Sequence, residues 1–439
     1  MRSLLGRFHR PFARGIDEQL LLLNNLGDGS TLSLDFTTGV LDPRLTFTRS
    51  TTGTFTNASG LVASAAINTP RFDYDPTTLQ PRGLLIEGSA SNLFYWSESF
   101  ETSGAANNWN FSSLNTTRGT VTTTNPAGIS TTVVKIQETN AAGFHAPLIV
   151  YSSLTSSVYT ISAFVKAAER QYIQLIDNGG SGAFGMFNLS GSGSVVSESA
   201  AGVSTITKYP DNWYRIVVRT PTLTNINVQF RLSTDGTTTS YTGTTGSGVY
   251  IWGAQLETGS GASSYIPTGA SQATRNADSC VMTGTNFSSW FAGATEGVFY
   301  AEYEAPRSLG TADYFCLGTQ YAAGTFIGIN LANSTLFPQA LISPGGGFRI
   351  SGGISVAAST PMKHAAKWSG ANNVLVFANG AVGTAHSATT GTPTLTMFSI
   401  GSSSTSGTAA TGDYLNACVR RVKFWPVALS NSQIQAITT

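Results

Sequence analysis

The chain has 439 residues, 41% hydrophobic and only 11% charged, with a formal net charge of +1. That balance excludes a disordered chain, which is charge-rich and poor in aromatics, because 24 Phe, 15 Tyr and 7 Trp supply ample core. It also argues against nucleic acid as a partner, since a phosphate-reading surface needs a clustered cationic excess.

The length allows two to four domains. Cys280, Cys316 and Cys418 form neither an even set nor a CxxC pair, so reduced, buried thiols are expected, without a disulfide scaffold or zinc. No run approaches the roughly 20 apolar residues of a membrane span, so no membrane insertion is expected.

Residues 1–31 read as an attachment arm. Arg2, Arg7, Phe8, Arg10, Phe12 and Arg14 place arginines among bulky apolar side chains, and the h-region of a secretory signal is missing, although a transit peptide would look similar. Asp17 and Glu18 precede Leu20-Leu21-Leu22-Leu23, which leaves a short helix and an extended apolar strip both open.

From Leu32 the pattern changes to short alternating strands with turn residues between them: Leu32-Ser33-Leu34-Asp35-Phe36, Leu45-Thr46-Phe47-Thr48-Arg49 and Gly53-Thr54-Phe55-Thr56-Asn57. A small β leader is assigned to 32–90. Next, over 91–268, come strand patterns at Thr131–Val134, Tyr159–Val165, Tyr172–Ile176, Trp213–Val218 and Val228–Leu232, ending on Gly248-Val249-Tyr250-Ile251-Trp252-Gly253-Ala254-Gln255-Leu256-Glu257. Strands spaced by roughly ten residues with Gly, Asn, Ser and Asp turns are a sandwich signal. In the last strand Val249 and Ile251 are expected to point one way and Tyr250, Trp252 and Leu256 the other, both faces apolar, as in a strand packed between two layers.

A linker is expected at 269–278 and a second sandwich at 279–439. Gly297-Val298-Phe299-Tyr300-Ala301-Glu302-Tyr303-Glu304 opens it, Asn379-Gly380 marks a hairpin turn, and Ser430 is placed to cap a short C-terminal helix. The fold class is therefore all-β: two tandem jelly-roll/β-sandwich domains preceded by an N-terminal attachment segment and a small β leader.

Leu34-Asp35-Phe36, Leu41-Asp42-Pro43-Arg44, Phe47-Thr48-Arg49, Pro70-Arg71-Phe72-Asp73-Tyr74-Asp75 and Arg82-Gly83-Leu84-Leu85-Ile86-Glu87 together resemble the leader of many tailed-phage fibre and spike-type structural proteins. Tyr159-Thr160-Ile161-Ser162-Ala163-Phe164-Val165-Lys166-Ala167, Asn212-Trp213-Tyr214-Arg215 and Trp252-Gly253-Ala254-Gln255-Leu256-Glu257 are similar to the core motifs of the carbohydrate-binding-like jelly roll that follows that leader. The order after Asp278 looks like a concanavalin A-like, laminin-G-type sandwich. The resemblance implies a virion structural protein assembled in the bacterial host cytoplasm, a homotrimer, arm contacts to other virion proteins, and non-catalytic recognition of a host cell-surface glycan. A capsid-decorating head fibre and a capsule polysaccharide depolymerase use the same modules and stay open, as does a secreted adhesin, which the missing signal peptide disfavours.

For sugar binding the candidates are Trp109, in an Asn-rich polar stretch, and Tyr172 with Gln174, on one face of a strand. For catalysis, Glu302 and Glu304 project from one strand face roughly 7 Å apart, compatible with a glycosidase acid/base pair, but the expected reading is a solvated face and no catalytic residue. His9, His145, His364 and His386 lack partners at ligand spacing, and Asp313 and Asp413 lack a calcium loop around them. No metal and no cofactor are expected.

Overall fold

The computed structural model describes residues 28–102, 108–304, 314–318, 325–331, 337–344, 349–354, 361–369, 373–387, 395–405 and 408–439. Arg2, Arg7, Phe8, Arg10, Phe12 and Arg14 of the expected arm, and His9, Asp313 and the side chains of Cys316 and Asp413, lie outside the described residues.

The chain is all-β, with antiparallel ladders stacked as sandwiches. One sandwich is a jelly roll built from a five-stranded sheet, in the order Leu148–Tyr151, Ile226–Ser233, Tyr172–Asp177, Phe184–Asn188, Ser194–Glu198, and a six-stranded sheet, in the order Val203–Lys208, Trp213–Leu223, Ser157–Ala167, Gly248–Thr258, Ser130–Glu138, Thr116–Thr124. Period-two alternation sends Ile161, Ala163, Val165, Ile173, Leu175, Val228, Phe230 and Leu232 into one shared core.

The strand Gly248–Thr258 is buried on both faces, as its sequence requires, but the alternation is not continuous. Ser162 faces Gln255 while Phe164 faces Trp252, so the strand carries an extra residue there, and Gly253 takes the left-handed φ of +61° that such a bulge needs. Leu256 therefore joins Val249 and Ile251 in the main core. Trp252 turns to the other face, packing with Phe164, Tyr209 and Tyr265, and Tyr250 packs against the same cluster. The expectation that Leu256 shares the Trp252 face is corrected by that bulge.

The leader is not a unit of its own. Pro81–Ile86 and Leu32–Asp35 pair successively with the last strand, Ala417–Trp425, in a nine-stranded sheet, and Thr46–Thr48 pairs with Ser279–Thr283 in the opposing seven-stranded sheet. Leu32, Leu34, Phe36, Phe47, Leu84 and Ile86 thus share one core with Phe299, Tyr303, Phe398 and Phe424. Gly83 makes the strand contact possible: its φ is +108°, and a Cβ there would sit 2.2 Å from the Val419 carbonyl oxygen. The helix Asn431–Thr438 covers Tyr300, Phe377 and Trp425 on the outer face of the nine-stranded sheet, and Ser430 caps it through a reciprocal pair with Gln433. Asn379 and Gly380, both at positive φ, turn the hairpin between Asn373–Ala378 and Ala381–Val382.

The jelly roll is consequently an insertion in the middle of the other sandwich. Its entry and exit run side by side, Ala90–Asn92 pairing with Ala273–Arg275. The segment expected to be a linker is therefore a paired neck, and its charges are enclosed. Arg71, fully buried, bonds Glu87 at 2.8 Å and Asp278 at 2.5 Å, and Arg49 bonds Asp278 at 3.1 Å. Ser264, from the end of the jelly roll, donates its backbone N–H and its hydroxyl to Glu87. Burial pulls the Arg71 pKa down, but the facing charges of Asp278 and Glu87 outweigh it and the net shift is upward.

Because Asp278 serves two buried arginines, Asp278→Asn leaves charge without a partner and is expected to destabilise the chain by about 3–5 kcal/mol. Urea denaturation of the full chain measures this; an unchanged midpoint would remove the cluster from its structural role.

Candidate functional site

The outer face of the five-stranded sheet carries the polar side chains that strand alternation turns away from the core. In Tyr172–Asp177, Ile173 and Leu175 point inward, leaving Tyr172, Gln174 and Ile176 outside. In Ile226–Ser233, the inward set Ile226, Val228, Phe230 and Leu232 leaves Asn227, Gln229 and Arg231 outside. The register sets Gln174 opposite Arg231 on one side and Met186 on the other, while Tyr172 lies opposite Asn188 and Ser233. Cross-strand partners of this kind bring their Cβ atoms within about 5.5 Å.

Arg231 is the organising group. Its Nε donates to Gln229 Oε1 at 2.7 Å, and its Nη2 donates to Asn178 Oδ1 at 2.9 Å. The guanidinium carbon lies 4.1 Å from the ring centroid of Phe144, which a short ribbon, Ala142–Phe144 with Ser240–Thr242, brings over the face. Burial pulls the Arg231 pKa down. The Gln174 amide makes no hydrogen bond among the described residues, and its Oε1 is enclosed without a donor. Tyr172 is half-buried, with the Gly236 turn packed so closely that a Cβ there would lie 2.9 Å from its ring. Exposed Phe144 and Val150 add apolar surface beside these groups. The face offers a cation, an amide and aromatic surface, which is chemistry for noncovalent recognition.

Of the three residues expected to meet a sugar, Tyr172 and Gln174 are brought together and Trp109 is not. Trp109 is 1% exposed, its ring centroid 5.0 Å from Phe94 and 4.9 Å from Phe100, and its Nε1 donates to the Tyr95 carbonyl. The polar neighbours in sequence concealed a core residue: the segment plugs one end of the jelly-roll core, and an indole buried on both faces has no surface to stack on a ligand. Sequence reasoning missed Arg231, Gln229 and Phe144. The alternation in Asn227-Val228-Gln229-Phe230-Arg231 carried the signal for the first two, whereas nothing local marks Phe144.

Glu302 and Glu304 do project from one strand face, and each is committed to arginine. Glu302 lies 2.9 Å from Arg421 and 3.0 Å from Arg420, and Glu304 takes a two-pronged contact from Arg82 at 2.6 and 2.5 Å. Glu302 lines a groove of about 620 Å³ in which Asp28 pairs with Lys423 and Asp35 with Arg421, so the charges there largely cancel in place. His145 is enclosed, its ring nitrogens 3.0 and 3.1 Å from the Asn115 and Tyr241 carbonyl oxygens, and His386 is exposed. Cys280 and Cys418 are buried. Among the described residues no three His, Cys, Asp or Glu side chains converge as metal ligands.

The class these observations define is an all-β protein in which one sandwich is inserted into another and the outer face of one sheet gathers enclosed polar groups beside exposed Phe144 and Val150. No protein-family model matches the chain, and no curated protein matches it. Among solved structures it is similar to the CBM40 of Ruminococcus gnavus IT-sialidase, at 12% identity and a TM-score of 0.29, covering 33% of this chain and 84% of that one. It is also similar to domains LG4-5 of the mouse laminin alpha1 chain, at 13% identity and a TM-score of 0.25, covering 64% and 90%. A third is Trypanosoma rangeli sialidase, at 11% identity and a TM-score of 0.30, covering 73% and 62%. Overlaps of this size do not extend to what those proteins bind or cleave.

His364 generates a test of the outer sandwich. It is enclosed beside the Tyr303 hydroxyl at 2.9 Å, and burial pushes its pKa down to about 3. In the unfolded chain a histidine takes up its proton near pH 6.5. The stability tied to neutral His364 is therefore whole above that pH and is lost as pH falls toward 3, at up to about 1.4 kcal/mol per unit. Urea denaturation between pH 4 and 7 should show a shallower pH slope for His364→Phe than for the wild type; equal slopes would contradict the assignment.

Proposed function

We propose that the chain is a non-catalytic, glycan-binding structural protein of a tailed-phage particle, of fibre or spike type, and that the Tyr172–Gln174–Arg231 face is its receptor-binding surface. The single observation that carries the binding part is the state of the polar groups on that face. Buried carboxyls elsewhere are met by arginine, as Asp278 and Glu87 are, or by hydrogen-bond donors, as Glu257 is by Gln255 and Ser263. Here, among the described residues, the Gln174 amide makes no hydrogen bond and Arg231 has no carboxylate beside it, next to aromatic surface. Sugars meet such sites with one apolar ring face and a rim of hydroxyls.

The non-catalytic part rests on Glu302 and Glu304. A glycosidase needs one carboxyl held protonated and one held free to act on water or the anomeric carbon, and both acids here are held by arginine instead. The particle assignment rests on the resemblance of the leader, from Leu34-Asp35-Phe36 to Arg82-Gly83-Leu84-Leu85-Ile86-Glu87. In a homotrimer three copies of one weak site would act together, so an individual contact can be poor.

Tyr172→Ala and Gln174→Ala are each expected to weaken binding at least fivefold while leaving the chain folded, at a cost in stability of about 0.5–3 kcal/mol because Gln174 is buried and Tyr172 half-buried. The assay is biolayer interferometry of the full chain against purified bacterial surface polysaccharides. Absence of binding to every polysaccharide in the panel would overturn the glycan reading, and release of reducing ends by the wild type would overturn the non-catalytic one.

A further inference from the structure

We propose that the ligand of this face is acidic: a saccharide bearing a carboxylate, which neutralises Arg231. The inference rests on the glycan reading and adds the charge of the sugar to it.

Four arginines are at most 7% exposed among the described residues: Arg49, Arg71, Arg231 and Arg275. Three of them have a carboxylate oxygen close by, Arg49 at 3.1 Å from Asp278, Arg71 at 2.8 Å from Glu87, and Arg275 at 3.5 Å from Glu87. Arg231 has no such oxygen within 4 Å among the described residues, and its hydrogen-bond partners are the amide oxygens of Gln229 and Asn178. Amide dipoles and the face of Phe144 compensate a buried cation only in part, because a full opposite charge is missing. An anionic ligand supplies it, and the cost of burying Arg231 in the free protein becomes affinity for that ligand.

The bonds already made select the shape of the anion. With Nε and one hydrogen of Nη2 engaged, the hydrogens left are those of Nη1 and the second on Nη2. Nη1 makes no hydrogen bond and is not enclosed. That end-on edge is the one that accepts a planar carboxylate through two parallel bonds. Directly across the strand pair stands Gln174, whose amide is unbonded: Oε1 is enclosed, and a half-turn of the amide exchanges it with Nε2. The amide can therefore offer a sugar hydroxyl either a donor or an acceptor. A carboxylate beside a hydroxyl, on a ring with an apolar face for Tyr172 and Phe144, describes an acidic monosaccharide unit.

The test is isothermal titration of the full chain with two matched pairs: oligogalacturonate against the same oligomer after chemical reduction of its carboxyl groups, and sialyllactose against lactose. At least one acidic member is expected to bind tenfold or more tighter than its neutral partner, with the advantage shrinking between 50 and 500 mM NaCl. Arg231→Gln should bring acidic and neutral affinities together, and Arg231→Lys, which keeps the charge without the planar edge, should fall between. Equal affinity within each pair, or a charge preference that Arg231→Gln leaves intact, would overturn the acidic assignment while the glycan reading stands. No binding by any of the four, together with none in the polysaccharide panel, would overturn both. If Arg231→Gln fails to fold, the lysine variant and the salt dependence of the wild type decide.

Discussion

The joint between the two sandwiches depends on one enclosed ionic cluster. Arg49, Arg71 and Glu87 come from the leader, Ser264 from the end of the jelly roll, and Asp278 from the chain after the neck, and all are buried. Removing these charges from water is expensive, and hydrophobic residues of similar volume often hold such a place at lower cost. What the ions add is direction. Arg49 bonds Thr51, Ala65, Ala66 and Asp278, and Arg71 bonds Thr54, Glu87, Ser264 and Asp278, so the segments meet in one arrangement, and a slipped neck would leave charges facing nothing. The cluster is thus the device that makes an insertion behave as a fixed attachment.

That arrangement decides which sheet faces are free. The outer face of the six-stranded sheet is occupied by Trp252, Phe164 and Tyr265, with Val62 of the leader packed against them. The outer face of the nine-stranded sheet is partly roofed by the helix Asn431–Thr438, and its remaining groove holds paired charges. The five-stranded sheet lies on the far side of the jelly-roll core from the leader, and over its outer face comes the short ribbon Ala142–Phe144 with Ser240–Thr242, beneath which Gln174, Gln229 and Arg231 are buried while Tyr172 stays half-buried. Tyr172, Gln174 and Arg231 sit there because the alternation that fills the core has no other place for polar side chains.

Much of this was legible in the chain and some was not, for physical reasons. Alternating apolar residues and turn residues announce β structure locally, which is why the strands around Tyr159 to Val165 and Gly297 to Glu304, the Asn379-Gly380 turn and the Ser430 cap could all be read. Pairing between Leu34 and Val422, nearly four hundred residues apart, leaves no local trace. The leader therefore reads as a separate element when it is one edge of the last strand's sheet. Arg275 and Asp278 read as a polar linker because their burial depends on Glu87 and Arg71, and Trp109 reads as exposed because its neighbours in sequence are polar while its neighbours in space are aromatic. The Tyr172–Gln174 pair could be read because it needs only the two-residue period of one strand, and Phe144 could not because it arrives from a different ribbon.

The same accounting separates catalysis from recognition. Paired acids are conspicuous in a sequence with few charges, yet Glu302 and Glu304 are the groups whose demands the fold already meets, with arginines on two other stretches of chain assigned to them. Arg231 attracts no notice in sequence, and it and Gln174 have demands the fold leaves open: among the described residues no carboxylate stands beside the one and no donor meets the Oε1 of the other. A buried group without its partner lowers stability, and a chain holding so many satisfied ions elsewhere has the means to satisfy one more. At Arg231 it does not, and that missing charge is what the proposed acidic ligand would supply.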